Sequence, residues 1–175
     1  RDLVVTGVQT CALPIFRRQL SDVAWRTTFI VGFPTETDQD FEELVDFVSE
    51  GHFQHLGIFL YSDEDNIRSS KFGDPIPLSL KEERKNRLME IQQKISREHH
   101  QKMVGSLQQV LVGGFSSETD LLLEGRNQYQ GPEVDGVVYI NEGNATSAGF
   151  HQVEITEAHE DRKSTRLNSS HNQIS

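Results

Sequence analysis

The apolar positions of the chain change period along its length. Residues 27–31 (TTFIV) are a short β-branched and aromatic run that stops at Gly32-Phe33-Pro34, a turn signal. Thr35 and Thr37 stand three residues before Asp38 and Asp40, a helix-start pattern. Phe41, Leu44, Val45 and Val48 follow at i, i+3, i+4, i+7 spacing, and Gly51 ends the predicted helix. Residues 55–61 (HLGIFLY) read as a second buried strand. Strand, helix and strand in this order suit a parallel βαβ unit. Parallel α/β folds place ligands at the C-terminal strand ends, here residues 32–36 and 61–62.

A polar loop follows at residues 62–77, with Gly73, Pro75 and Pro77. Ser79-Leu80-Lys81-Glu82 is a capping-box pattern that opens a charged helix running to about Val104. Leu88, Ile91 and Ile95 form its narrow apolar stripe. Lys81, Arg84, Lys85, Arg87 and Lys94, interleaved with Glu82, Glu83 and Glu90, read as a solvated face with i,i+4 pairs. From Gly105 the texture becomes β-like. Short runs at 107–112, 121–124, 137–140 and 150–155 alternate with glycine-containing turns, which predicts a small barrel or sandwich.

The two ends do not fit this pattern. Residues 5–15 (VTGVQTCALPI) show neither helical nor strand periodicity. One set of codons for them, read as the reverse complement, encodes DRKSTRLNSSH, which is residues 161–171. Folding does not make two ends of a protein antisense to each other, whereas read-through of a sequencing adapter does. The expected organisation is therefore adapter-derived sequence at 1–15 and 161–175, an α/β part at 16–104 and a β module at 105–160. The middle reads as a fragment of a longer protein. On this reading Cys11, the chain's single cysteine, has no function. Two strands and a helix without neighbours expose sheet edges, so the β module is expected to fold and the α/β part to be marginal.

Composition narrows the function. The net charge is -10, and the middle is more acidic than the whole. Between Gly105 and Glu160 the only Lys or Arg is Arg126, against Glu118, Asp120, Glu124, Glu133, Asp135, Glu142, Glu154, Glu157 and Glu160. Such a module repels phosphate backbones and favours a basic protein partner. No apolar run approaches membrane-spanning length, so a soluble, cytoplasmic protein with no membrane partner is expected. Residues 32–37 (GFPTET) lack the second glycine and Lys-Ser/Thr of a phosphate loop. His52 and His55 sit too close together to converge on a metal, and His99 and His100 point apart on a helix, so no metal site is expected.

The segments RTTFIVGFPTETDQDFEELVDFV, HLGIFLYS, KEERKNRLMEIQQKIS and LLLEGRNQYQGPEVDGVVYI, in this order, resemble the radical-SAM methylthiotransferases. The resemblance is closest to the type that modifies ribosomal protein uS12, and it covers residues 16–160. The family turn usually has glycine where this chain has Thr35. The resemblance implies the last part of a partial βα barrel, a linking helix and a TRAM (OB-like) module. It implies methylthiolation of the β-carbon of an aspartate in uS12, with S-adenosylmethionine and two 4Fe-4S clusters as cofactors. The cluster cysteines, including a CxxxCxxC motif, are absent from residues 16–160, so this fragment alone is expected to be inactive. Residues matching the cofactor wall are Ile30, Gly32, Pro34 and Glu36, with Phe59, Leu60 and Tyr61 on the last strand. Glu118, Asp120, Glu124, Glu133 and Asp135 are the expected uS12-docking acids. The alternative within the family is a tRNA methylthiotransferase whose TRAM module binds RNA.

Overall fold

A computed structural model of the chain describes residues 15–20, 22–64, 69–132, 134–142, 149–160 and 165–170. After a helical turn at residues 15–19, β1 (Arg26–Val31) and β2 (His55–Leu60) pair in parallel, with Ile30 opposite Phe59. Helix α1 (Asp38–Ser49) connects them. It starts where expected: Thr37 accepts from the Asp40 N–H at 3.1 Å, and Asp40 accepts from the Thr37 N–H at 2.8 Å. This reciprocal cap satisfies two otherwise unpaired donors of the first turn.

Helix α2 (Leu78–Gln101) lies on the same side of the sheet as α1. Val31, Ile58, Phe41, Val45, Val48 and Leu88 make one core there. Ser79 does not cap α2. Pro77 holds the cap position, and its carbonyl accepts from the Leu80 and Lys81 N–H groups. Proline presets a φ near that of the helix, so the first turn closes ahead of Ser79.

The C-terminal unit is a closed five-stranded barrel of β3 (Leu107–Phe115), β4 (Leu123–Asn127), β5 (Val138–Glu142), β6 (Gly149–Glu160) and β7 (Thr165–Ser170). The order around it is β3-β4-β5-β7-β6. Val110, Val112, Val138, Ile140, Val153 and Ile155 fill its interior, and Met103 packs against them. Period-2 alternation on β3 sends Val110 and Val112 inward and leaves Leu107 and Gln109 exposed. β7 lies within residues 161–175, where the sequence pattern predicts no element. It fills the gap between β5 and β6, pairing parallel with the first and antiparallel with the second. Main-chain pairing at open sheet edges is not sequence-specific, so periodicity could not locate this strand.

Candidate functional site at the strand ends

Gly32 follows β1 at φ 79°, where L side chains are strained. A Cβ on it would lie 2.4 Å from Lys81 Cγ, so glycine is required by both backbone and space. The Gly32 N–H donates to Glu36 Oε2 at 3.0 Å, and the Glu36 N–H donates to the Phe33 carbonyl at 2.8 Å. These bonds close the turn that carries the chain from β1 into α1.

Two buried cations of α2 hold that turn. Arg84, 3% exposed, pairs with Glu36 and with Asp38, the latter at 2.6 Å, and its guanidinium lies over the Phe41 ring. Lys81, 2% exposed, donates from Nζ to the Tyr61 carbonyl at 2.8 Å and pairs with Asp74. Tyr61 in turn donates its N–H to the Val31 carbonyl. The two strand ends and the loop carrying Asp74 therefore meet at α2. Lys81 and Arg84 correct the expectation of a solvated face. They sit at the N-terminal end of the stripe Lys81, Arg84, Leu88, Gln92, whose spacing marks one buried face. That spacing was the available signal, and their charge masked it.

The expected cofactor-wall residues fall into two groups. Ile30 and Phe59 are cross-strand partners, 58% and 63% exposed, on the sheet face away from the helices. Gly32, Pro34 and Glu36 make the turn. Tyr61 packs edge-on against Phe33, which also meets Phe72. The Tyr61 hydroxyl is buried and has no hydrogen-bond partner. Leu60 departs from the expectation: it packs on the helix-side core, because successive strand residues point to opposite faces. Lys81, Arg84, Asp74, Phe33 and Phe72 were not anticipated here.

Of the expected docking acids, Asp120 is exposed and Glu124 is half-buried on β4. Glu118 is exposed, and its N–H donates to Ser116 Oγ. Glu133 lies outside the described residues. Asp135 is turned inward, with its side chain 5% exposed. It accepts from Arg26 at the start of β1, from His55 at 3.0 Å at the start of β2, and from the Gly131 N–H at 2.6 Å. Asp135 thus joins the two units and is withdrawn from the docking set. The other ring nitrogen of His55 meets the Tyr129 carbonyl at 2.8 Å. Both partners of His55 are acceptors, so both bonds form together only when each ring nitrogen carries a proton. Tyr129 also donates its hydroxyl to Asp22. Around these groups lies a cleft of about 400 Å³.

Titration of this junction gives a prediction. Burial alone would raise the Asp135 carboxyl, but hydrogen bonds from His55, Gly131 and Arg26 outweigh it and hold the pKa at about 2. Burial pushes His100 down to about 4, and the nearby rings of His99 and His55 add to the effect. Both folded values lie below the unfolded ones, so stability falls in acid for both groups: the ionised Asp135 carboxylate loses its stabilising bonds, and the buried neutral His100 resists a proton that the unfolded chain accepts. The His100 penalty builds up between about pH 6.5 and 4, and the Asp135 contribution is lost between about 4 and 2. Thermal unfolding followed by circular dichroism across pH 7 to 2 is expected to show two successive losses. Asp135→Asn is expected to shrink the lower one, the remainder belonging to carboxylates such as Asp40 and Glu42 that are also held low.

Residues 104–161 match the TRAM domain family. The chain is 46% identical over 142 residues to the ribosomal protein uS12 methylthiotransferase RimO of Desulfotalea psychrophila, covering 81% of this chain and 32% of that protein. It is 48% identical over 146 residues to the protein of the same name from Bdellovibrio bacteriovorus, with 83% and 32% covered. The Aquifex aeolicus protein of that name is 44% identical over 142 residues, with 81% and 33% covered. The chain spans about a third of the length of these curated relatives. The chain is thus a relative of the uS12 methylthiotransferases, matched over about a third of their length, and it carries a TRAM domain at residues 104–161.

Proposed function

We propose that the chain is part of a radical-SAM methylthiotransferase that modifies an aspartate of ribosomal protein uS12, and that its β module docks uS12. The observation that carries this is the conjunction of the match to uS12-modifying relatives with the charge of residues 105–160, where Arg126 stands alone among acids. Ribosomal proteins that contact RNA are basic, and complementary charge steers such a pair together. Residues 16–104 would be the closing part of a partial βα barrel. Residues 1–15 and 161–175 would be adapter-derived.

The open sheet face fits S-adenosylmethionine as far as it extends. Ile30 and Phe59 offer an apolar surface to a flat ring, beside the turn at Gly32–Glu36 and the unpartnered Tyr61 hydroxyl. The cofactor would supply the radical chemistry that an unactivated carbon–hydrogen bond demands and that side-chain acids and bases cannot provide. An iron–sulfur cluster takes cysteine thiolates. With one cysteine, this chain cannot supply a cluster's ligands, and it is expected to be inactive alone.

The test is binding of the chain to purified uS12 and, separately, to bulk tRNA across a salt series. The expected result is salt-sensitive binding to uS12 and none to tRNA. Binding to tRNA without preference for uS12 would move the assignment to the tRNA-modifying branch.

A further inference from the structure

We infer that the outer face of β3 and β6 is where the β module docks its partner, and that it takes a basic protein segment on an apolar spot made by Phe150 and Leu111. This rests on the reading above and adds the place and the anchors.

The barrel register builds the face. Outward residues of β3 and β6 lie directly opposite one another: Leu107 with Glu154, Gln109 with Gln152, and Leu111 with Phe150. On the other side of β3, Leu111 stands opposite Arg126 of β4. Directly opposite residues bring their Cβ atoms to within about 5.5 Å, so Phe150, Leu111 and Arg126 form one row across three strands. Phe150 is 69% exposed and Leu107 53%. The barrel interior is already filled by Val110, Val112, Val153 and Ile155 from these same strands. The outward aromatic is therefore surplus to folding. Solvated strand faces are otherwise polar, and an exposed aromatic beside aliphatic neighbours is the usual centre of a binding patch.

Charge selects the occupant. Nucleic-acid platforms combine an exposed aromatic with a groove of cations. Here the row holds one cation, Arg126, and the register sets two carboxylates on the same outer face: Glu124, two residues from Arg126 on β4, and Glu154, opposite Leu107. Phosphates would meet net repulsion. A segment rich in Lys and Arg would find carboxylates around its charged heads and an aromatic face for its aliphatic stems. Among the described residues of β3, β4 and β6, Arg126 is then the one unfavourable charge for such a partner. The sign of its contribution separates the two kinds of ligand.

The experiment measures association and dissociation of purified uS12 with the 175-residue chain and three variants across a salt series, with bulk tRNA as competitor. Phe150→Ala is expected to weaken binding roughly tenfold, through faster dissociation at every salt concentration. Its melting temperature should stay at that of the parent, since the ring is mostly exposed. Arg126→Glu is expected to tighten uS12 binding roughly threefold, with a steeper salt dependence. Glu124→Gln should slow association at low salt. An unchanged affinity for Phe150→Ala, with Glu124→Gln weakened, would overturn the anchor while leaving uS12 as the partner. Weaker binding by Arg126→Glu together with competition by tRNA would make this a nucleic-acid face and overturn the inference. No binding of uS12 by the parent chain would overturn the functional reading itself.

Discussion

Arg84→Ala is expected to destabilise the α/β unit by about 3–5 kcal/mol, the range for breaking a buried ion pair from one side. Arg84 is 3% exposed, and the Glu36 side chain beneath it is 12% exposed. Removing the guanidinium leaves the Glu36 carboxylate in place with the Gly32 N–H as its remaining donor. The pairing with Asp38 adds little, because that side chain is 94% exposed and solvent screens it. The loss of contact with Phe41 adds a packing deficit. Trp25 is the chain's only tryptophan and adjoins β1, so its fluorescence during urea unfolding reports on this unit. A second variant isolates the cause. Adding Glu36→Gln to Arg84→Ala removes the stranded charge and is expected to recover part of the loss. If the double variant is no more stable than Arg84→Ala, the stranded carboxylate is not the source.

Gly32→Ala is expected to cost about 2–5 kcal/mol, from a positive φ and an added methyl in a filled space. The added Cβ would fall 2.4 Å from Lys81 Cγ and 2.8 Å from its Cδ. Those atoms belong to the stem of a buried side chain whose Nζ is tied to the Tyr61 carbonyl and to Asp74. The stem cannot yield without breaking those contacts, so the strain reaches β2 and the loop before α2. The same fluorescence measurement reads the effect. A loss under about 1 kcal/mol would show that the turn relaxes freely, and that Lys81 does not lock it.

The parts of this architecture that were legible in the sequence are those fixed by local chemistry. Thr37 with Asp40, the spacing of Phe41, Val45 and Val48, and the alternation around Val110 and Val112 each report a local backbone period or cap. The locations of the turn at Gly32–Glu36 and of barrel strands β3 to β6 follow from them, whereas β7 carries no such signal. What stayed hidden depended on partners far along the chain. Lys81 and Arg84 are buried because Glu36, Asp38 and Asp74 converge on α2, and charge interleaving along a helix cannot show which members meet such partners. In sequence Asp135 reads as one more surface acid, because its partners Arg26 and His55 lie 109 and 80 residues earlier. Leu60 stands between Phe59 and Tyr61 in sequence, yet strand geometry alone puts it on the other face. Ser79 matches a capping pattern two residues too late, because Pro77 already starts the helix.

The most direct measurement joins residues 16–160 into the Desulfotalea psychrophila relative in place of its matching third. The chimera is supplied with S-adenosylmethionine, a reductant and a sulfur source, and uS12 and bulk tRNA are examined by mass spectrometry. The expected result is a methylthio group on an aspartate of uS12, with tRNA unchanged. A soluble, cluster-loaded chimera that modifies tRNA and leaves uS12 unmodified would contradict it.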